Sequence, residues 1–194
     1  MMLFPCRLGA VLVLVAPSLS AQAPVAGSEA PTAPVVVLST ALYNDQANLR
    51  EPSDSTKASL GSVVLRTRLH DRLGDQLVST TATDALELTP SMVSLAGGMA
   101  CNVKVACALA VARHQGARWV VMSKVSKTSN LIWLLSAQLI RVGDGTIILD
   151  DSTELKGEPD GMVRVGMRQF ADRVIRTIRA GGVATNYPDG EPVF

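Results

Sequence analysis

Apolar and polar positions along this chain change period several times, and each change marks an element. Val35 to Leu38 is a short continuous apolar run, the pattern of a buried strand. From about Thr56 to Leu73, the residues Leu60, Val64, Leu65, Leu69 and Leu73 keep to one helical face, and Gly74 follows as a stop. Gln76 to Thr80 reads as a brief strand, whereas Thr81 to Gly98 holds no clear period and predicts one or two helical turns at most. An Ala-rich helix begins near Asn102, carries Val105, Leu109 and Val111, and ends at Gly116. Trp119 to Val125 alternates as a strand. Asn130 to Val142 and Thr146 to Leu155 are two more, joined by the hairpin signal Gly143-Asp-Gly145. The last helix is the clearest element: Asp160 stands where a cap is needed, and Val163, Met167, Phe170, Val174 and Ile178 recur at helical spacing.

The order is β-α-β-(α)-α-β-β-β-α. Strands joined through helices are expected to be parallel, and the last three to form an antiparallel meander. The fold class is therefore α/β, a mixed sheet of about five strands with helices packed on it. Trp119 and Trp133 both fall in strands, so core packing is their expected role.

The ends of the chain read differently. Met1 to Arg7 carries one positive charge, Leu8 to Ala16 is apolar, Pro17 breaks it, and small residues follow. This is the order of a signal peptide, residues 1–20, with cleavage within 20–23. The apolar run is roughly half of the ~20 residues a bilayer span requires. The Ala/Pro segment 21–34 is expected to be a flexible linker, 35–180 a single α/β domain, and 181–194 a flexible tail. Export places the mature protein in the periplasm, with the extracellular space as the alternative.

Composition narrows the function. The chain has 18 Lys+Arg against 17 Asp+Glu, and Arg7 departs with the signal, so no overall basic charge invites nucleic acid. Cys101 and Cys107, the cysteines left after the signal, suggest a disulfide in an oxidising compartment. In one continuous helix they would be separated by about 9 Å of rise, past the ~7 Å limit for a bridge. Cys101 must therefore precede the helix holding Cys107, with Asn102 as a cap between them. A metal site would need four ligands, and only His70 and His114 are at hand; the spacing is also not that of a redox pair. No metal or cofactor is expected.

Two groups of polar residues are candidate binding sites. Lys124, Lys127, Ser129 and Asn130 surround a turn between strands, where polar side chains can converge on a ligand or simply hydrogen-bond the turn. Arg164, Arg168, Arg173, Arg176 and Arg179 give the last helix a basic face for anionic lipid, phosphate or an acidic partner, or merely a solvated surface. Asp150, Asp151 and Glu154 invite a cation but lack an EF-hand spacing; a polar strand end is the alternative. Enzyme motifs are absent: no G-x-S-x-G, P-loop, H-E-x-x-H or Rossmann fingerprint.

The run Cys107-Ala-Leu-Ala-Val-Ala-Arg-His-Gln-Gly-Ala-Arg-Trp-Val-Val, followed by Val125-Ser-Lys-Thr-Ser-Asn-Leu-Ile132, resembles a family of exported bacterial proteins of unknown function with a Lys-x-Ser-Asn-Leu-Ile signature. Gly143-Asp-Gly-Thr and Gly157-Glu-Pro-Asp160 also look like family positions. This chain departs in the spacing of Cys101 and Cys107, and in carrying Glu158-Pro159 and Val163 where the family tends to have Asn-Thr and Trp. More remotely, the order of elements is similar to the TolB amino-terminal domain and to curli-secretion and lipoprotein-cofactor domains of the bacterial envelope. The resemblance implies no catalytic residues. It favours a non-enzymatic envelope protein that binds a protein partner or assembly through its sheet edge or hairpin turns. The alternatives are a small-ligand or glycan-binding domain using the Lys127–Asn130 turn, and an unrecognised hydrolase built on His70 or His114.

Overall fold

The structure is a computed structural model that describes residues 34–44, 51–129 and 132–184. The segment read from the sequence as a signal peptide, nearly all of the expected linker, and the expected tail beyond Ala184 lie outside the described residues. Strands β1 (Val35–Val37) and β2 (Ala41–Asn44) are followed by helices α1 (Asp54–Leu73), α2 (Thr80–Glu87), α3 (Pro90–Leu95) and α4 (Val105–His114). Strands β3 (Trp119–Lys127), β4 (Trp133–Arg141) and β5 (Ile147–Leu155) come next, and α5 (Pro159–Arg179) closes the fold.

The sheet is mixed and five-stranded. β1 and β2 lie one after the other along the same edge of β3, both parallel to it, with Val35 opposite Trp119 and Ala41 opposite Lys124. β3, β4 and β5 form the antiparallel meander, and the Asp144 carboxylate accepts from the Thr146 backbone N–H at 3.0 Å to close its hairpin.

The second strand is not where the sequence put it. Gly74–Gln76 is a 3-10 turn, Leu77 makes only a single bridge to Val35, and Thr80 already begins α2, capped by the Ser79 hydroxyl. Ser79 and the polar residues after it satisfy a helix start better than they extend a strand. The missing strand is β2, where the chain steps aside at Ser39 and Thr40 and returns to the edge of β3.

Alternation along the strands creates two cores. On one face, Trp119, Val121, Val125, Trp133, Leu135 and Leu139 meet Leu65 and Leu69 of α1 and Val163, Met167, Phe170 and Val174 of α5. Both tryptophans are buried in this core. The two helices are parallel and close-packed. A Cβ at Gly61 of α1 would stand 2.9 Å from Met167 Cε of α5, and one at Gly166 of α5 would stand 2.5 Å from Leu135 Cδ2 of β4, so a side chain at either glycine would make its neighbour's tip shift. On the opposite face, Cys107, Ala108, Val111 and Ala112 of α4 pack on Val36, Leu38, Val120, Met122 and Ile140.

Two expected caps are corrected. α5 is capped by Glu158, whose carboxylate accepts from the Asp160 and Gly161 backbone N–H groups; Pro159 takes the first helical position and moves Asp160 inside the helix. α4 begins at Val105 rather than near Asn102, because Cys101–Val103 forms its own 3-10 turn. That turn brings the Cys101 and Cys107 Cα atoms to 5.2 Å, and the disulfide is formed.

Candidate functional site

Lys124 and Lys127 are three residues apart in one extended strand, so they emerge on opposite faces of the sheet. The residues proposed from sequence to form one site are therefore divided between two environments.

Lys127 points into the α1/α5 side and is only 3% exposed. Its ammonium lies 3.2 Å from both carboxylate oxygens of Asp54 and 3.7 Å from Glu51. It also stands 5.4 Å from the Trp133 ring centre, with Lys57 approaching the same ring at 5.1 Å. Asp54 opens α1 and accepts the Glu51 backbone N–H at 2.8 Å, so Lys127 fastens the end of β3 to the start of α1. A buried ammonium without such a partner would be costly, which explains why the charge is enclosed on several sides. The turn that follows is knit internally. The Thr128 N–H and hydroxyl both donate to the Ile132 carbonyl, and the Ser129 hydroxyl accepts the Ile132 N–H at 3.0 Å. Asn130 lies outside the described residues.

Lys124 points the other way. Among the described residues, the helical layer on this face lies against β1 and the first half of β3, and the far halves of β3, β4 and β5 carry no helix. The side chains there are mostly polar, with Leu134 among them. Lys124 stands 5.5 Å from the Tyr43 ring, Gln138 donates to Asp150 at 3.0 Å, and the Ser136 and Ser152 hydroxyls are 3.4 Å apart. Where this bare surface meets the 3-10 turn after Cys101, a cleft of about 160 Å³ opens between Asn102, Val103, Lys124, Gln138 and Asp150. The outer edge of β5 borders the bare surface and, among the described residues, pairs with no other strand.

Alternation takes only Asp151 out of the acidic trio: it turns to α5 and binds Arg173, whereas Asp150 and Glu154 share the bare face, Glu154 pairing with Lys156 at 3.5 Å. Among the described residues no cluster of His, Cys, Asp or Glu is disposed to hold a metal.

A buried polar network beside the cleft escaped the sequence reading. Where the chain steps from β1 to β2, the Ser39 N–H and hydroxyl donate to Glu87 of α2 at 3.2 and 3.3 Å, and the Asn102 amide donates to the Ser39 carbonyl. The neighbouring Thr40 N–H donates to the Ser62 hydroxyl, and the Thr40 hydroxyl meets that of Ser123 at 2.8 Å. Burial pushes the Glu87 carboxyl up to about 7, against the opposing pull of the Ser39 N–H. The only signal in the sequence was a Ser-Thr pair interrupting an apolar strand.

The basic face of α5 is redistributed. Arg164, Arg168, Arg176 and Arg179 are exposed, whereas Arg173 is half-buried against β5. α1 contributes two more arginines. Arg68 holds Asp172 through two hydrogen bonds of 2.8 and 3.1 Å, and the Arg72 carbonyl accepts from Arg179 at 3.1 Å. A cleft of about 280 Å³ between the helix ends is lined by Arg68, Arg72, Asp172, Ile175, Arg176 and Arg179.

Both histidines are exposed, on helices that cover opposite faces of the sheet. His70 shares a cleft of about 430 Å³ with Ser79 and Thr80, but the Ser79 hydroxyl is engaged as the cap of α2.

These features define a class: an α/β sandwich on a mixed sheet, with helices along one face and only part of the other. The chain belongs to the family DUF3280, described as "Protein of unknown function (DUF2380)", whose model matches residues 35–175. No curated protein matches it. Among solved structures, the LpoB C-terminal domain from Salmonella enterica is similar at 21% identity and a TM-score of 0.43, over 65% of this chain and 84% of that one. TolB from Acinetobacter baumannii is similar at 14% identity and a TM-score of 0.42, over 77% of this chain and 29% of that one. The PelC dodecamer from Paraburkholderia phytofirmans gives 14% identity and a TM-score of 0.40, over 71% of this chain and 84% of that one. Among the described residues, no helix is long and apolar enough to cross a membrane.

Proposed function

We propose that this protein is a non-enzymatic, exported accessory module of the bacterial envelope that binds another envelope protein through the bare half of its sheet and the adjoining β5 edge. One observation carries the reading. The strands of the meander run nine residues each, but on the α4 side helices lie over only one end, leaving Lys124, Ser136, Gln138, Asp150 and Ser152 as a continuous polar surface. A sheet face flanked by an unpaired strand offers a partner both side-chain contacts and main-chain hydrogen bonds. The acidic residues along β5 discourage two copies from pairing edge to edge, so the edge favours a different partner. The signal-peptide pattern at residues 1–20 supports export.

The competing classes have less behind them. The cleft beside Asn102 is about 160 Å³ and the one that Lys127 lines about 260 Å³, both below the roughly 300–1,000 Å³ typical of small-molecule sites, and the cleft of about 430 Å³ beside His70 holds none of the polar residues of the turn. A hydrolase built on His70 or His114 has less support, since neither imidazole has a side-chain hydrogen-bond or ion-pair partner among the described residues. The test is photo-crosslinking in intact cells from a probe at Gln138, with a probe at Arg113 on the far side of α4 as control. A discrete protein adduct from Gln138 alone supports the reading. Identical patterns from both positions, in cells that export the folded protein, would rule it out.

A further inference from the structure

We infer that the outer surface of the α1/α5 layer is an electrostatic docking face for a bilayer rich in anionic phospholipid. Arg164, Arg168, Arg176 and Arg179 follow one face of α5, and fifteen residues of helix spread them over about 22 Å. Arg68 and Arg72 extend the array sideways onto α1, which runs parallel: Lys57 is paired with Asp160, Arg68 with Asp172, and Arg179 meets the Arg72 carbonyl. Six guanidinium groups thus share one face. The acids among them are Asp172, already held by Arg68, Asp160, one turn before Arg164 and paired with Lys57, and Asp71 on the flank. In a chain whose positive and negative residues nearly balance, this is a strong local asymmetry.

An ordinary solvated surface does not account for the arrangement. Such surfaces mix both signs, and cations at i, i+4 such as Arg164 and Arg168 repel one another. The helix macrodipole accounts for Arg72, Arg176 and Arg179 in the last turns, but its effect does not reach Arg164 and Arg168. A protein partner fits less well, because the large apolar side chains exposed on these two helices are only Val63 and Val165, and no aromatic anchor accompanies them. A single bound phosphate would occupy the cleft between Arg68, Arg72, Arg176 and Arg179 and leave Arg164 and Arg168 without a role. A plane of phosphate headgroups engages the whole array at once.

The experiment is co-sedimentation of the purified protein with vesicles of phosphatidylcholine alone or mixed with phosphatidylglycerol. The readout is the difference between the two, which cancels any apolar attachment by the amino-terminal segment. The proposal expects partition onto the anionic vesicles only. It should weaken steeply with salt and fall about fivefold for each arginine removed, in Arg164→Gln/Arg168→Gln as well as in Arg176→Gln/Arg179→Gln. Lys104→Gln, on the other side of the sheet, should leave it unchanged. These arginines are exposed, so circular dichroism should show folded variants. Equal partition onto both vesicles overturns the proposal. So does loss confined to the Arg176/Arg179 variant with full competition by millimolar inorganic phosphate, which would assign the cleft to a small anion. Complete displacement by polyglutamate at low concentration would assign the face to an acidic protein and overturn it as well.

Discussion

Removing the Asp54 carboxylate tests whether Lys127 is a structural tie or a residue held ready for a ligand. The pair is almost wholly enclosed, with side-chain exposures of 3% for Lys127 and 2% for Asp54. Asp54→Ala leaves the ammonium buried with only Glu51 at 3.7 Å, itself 63% exposed, and the face of Trp133. Breaking a buried pair from one side costs roughly 3–5 kcal/mol. For a domain of this size, each kcal/mol moves Tm by roughly 2–4 °C, so a drop of about 6–20 °C is expected. Lys127→Met should cost less. The carboxylate it abandons still accepts the Glu51 N–H and sits in the first turn of α1, where the helix dipole favours an anion. The double variant Asp54→Leu/Lys127→Met should recover most of the loss, because an apolar pair of similar volume removes the desolvation penalty altogether. Urea denaturation of the three variants and the native protein closes the cycle. Additive losses, or a cost below about 1 kcal/mol for Asp54→Ala, would refute the tie and return Lys127 to the list of ligand-binding candidates.

Glu87 makes stability depend on pH. Its carboxyl is raised in the folded state from 4.5 to about 7, so the native protein binds this proton more tightly than the unfolded chain. The contribution is complete below about pH 4.5 and is lost as pH rises through about 7, by up to about 3 kcal/mol. Glu87→Gln should flatten that part of a denaturation profile measured from pH 4 to 8, and an unchanged slope would exclude Glu87 as its source. The disulfide closes a loop with a sequence separation of 6, and the chain-entropy model gives it about 2 kcal/mol. Cys101→Ala/Cys107→Ala should lower the unfolding free energy measured by urea denaturation by that amount while leaving the far-ultraviolet spectrum intact. Loss of helical signal would mean that the bridge holds α4 together rather than anchoring the turn before it.

Period was the part of the fold that the sequence made legible. The meander and α5 could be read because each repeats its pattern over nine residues or more: Val163, Met167, Phe170 and Val174 of α5 are all buried, as their spacing required. Short elements failed where side-chain chemistry outweighed period. β2 has four residues, and the polar step at Ser39 and Thr40 reads as a loop until Ser62, Ser123 and Glu87 are seen to satisfy it. Asn102 looked like a cap because its type suits one, but the tight disulfide loop forces a separate turn and sends its amide to Ser39.

A turn rich in Lys, Ser and Asn looks like a site when its residues are read as neighbours. Strand alternation separates them, since residues an odd number apart cannot face the same ligand. Lys127 then belongs with Asp54 and the interior, while Lys124 belongs with Gln138 and Asp150, residues far along the chain on other strands. Substituting Lys127 would therefore lower partner binding only as far as it loosens the turn, and the loss should track stability. Substituting Lys124 or Gln138 removes surface without disturbing a core. A binding defect at unchanged Tm can come only from that second kind of position, which is why Gln138 carries the crosslinking probe.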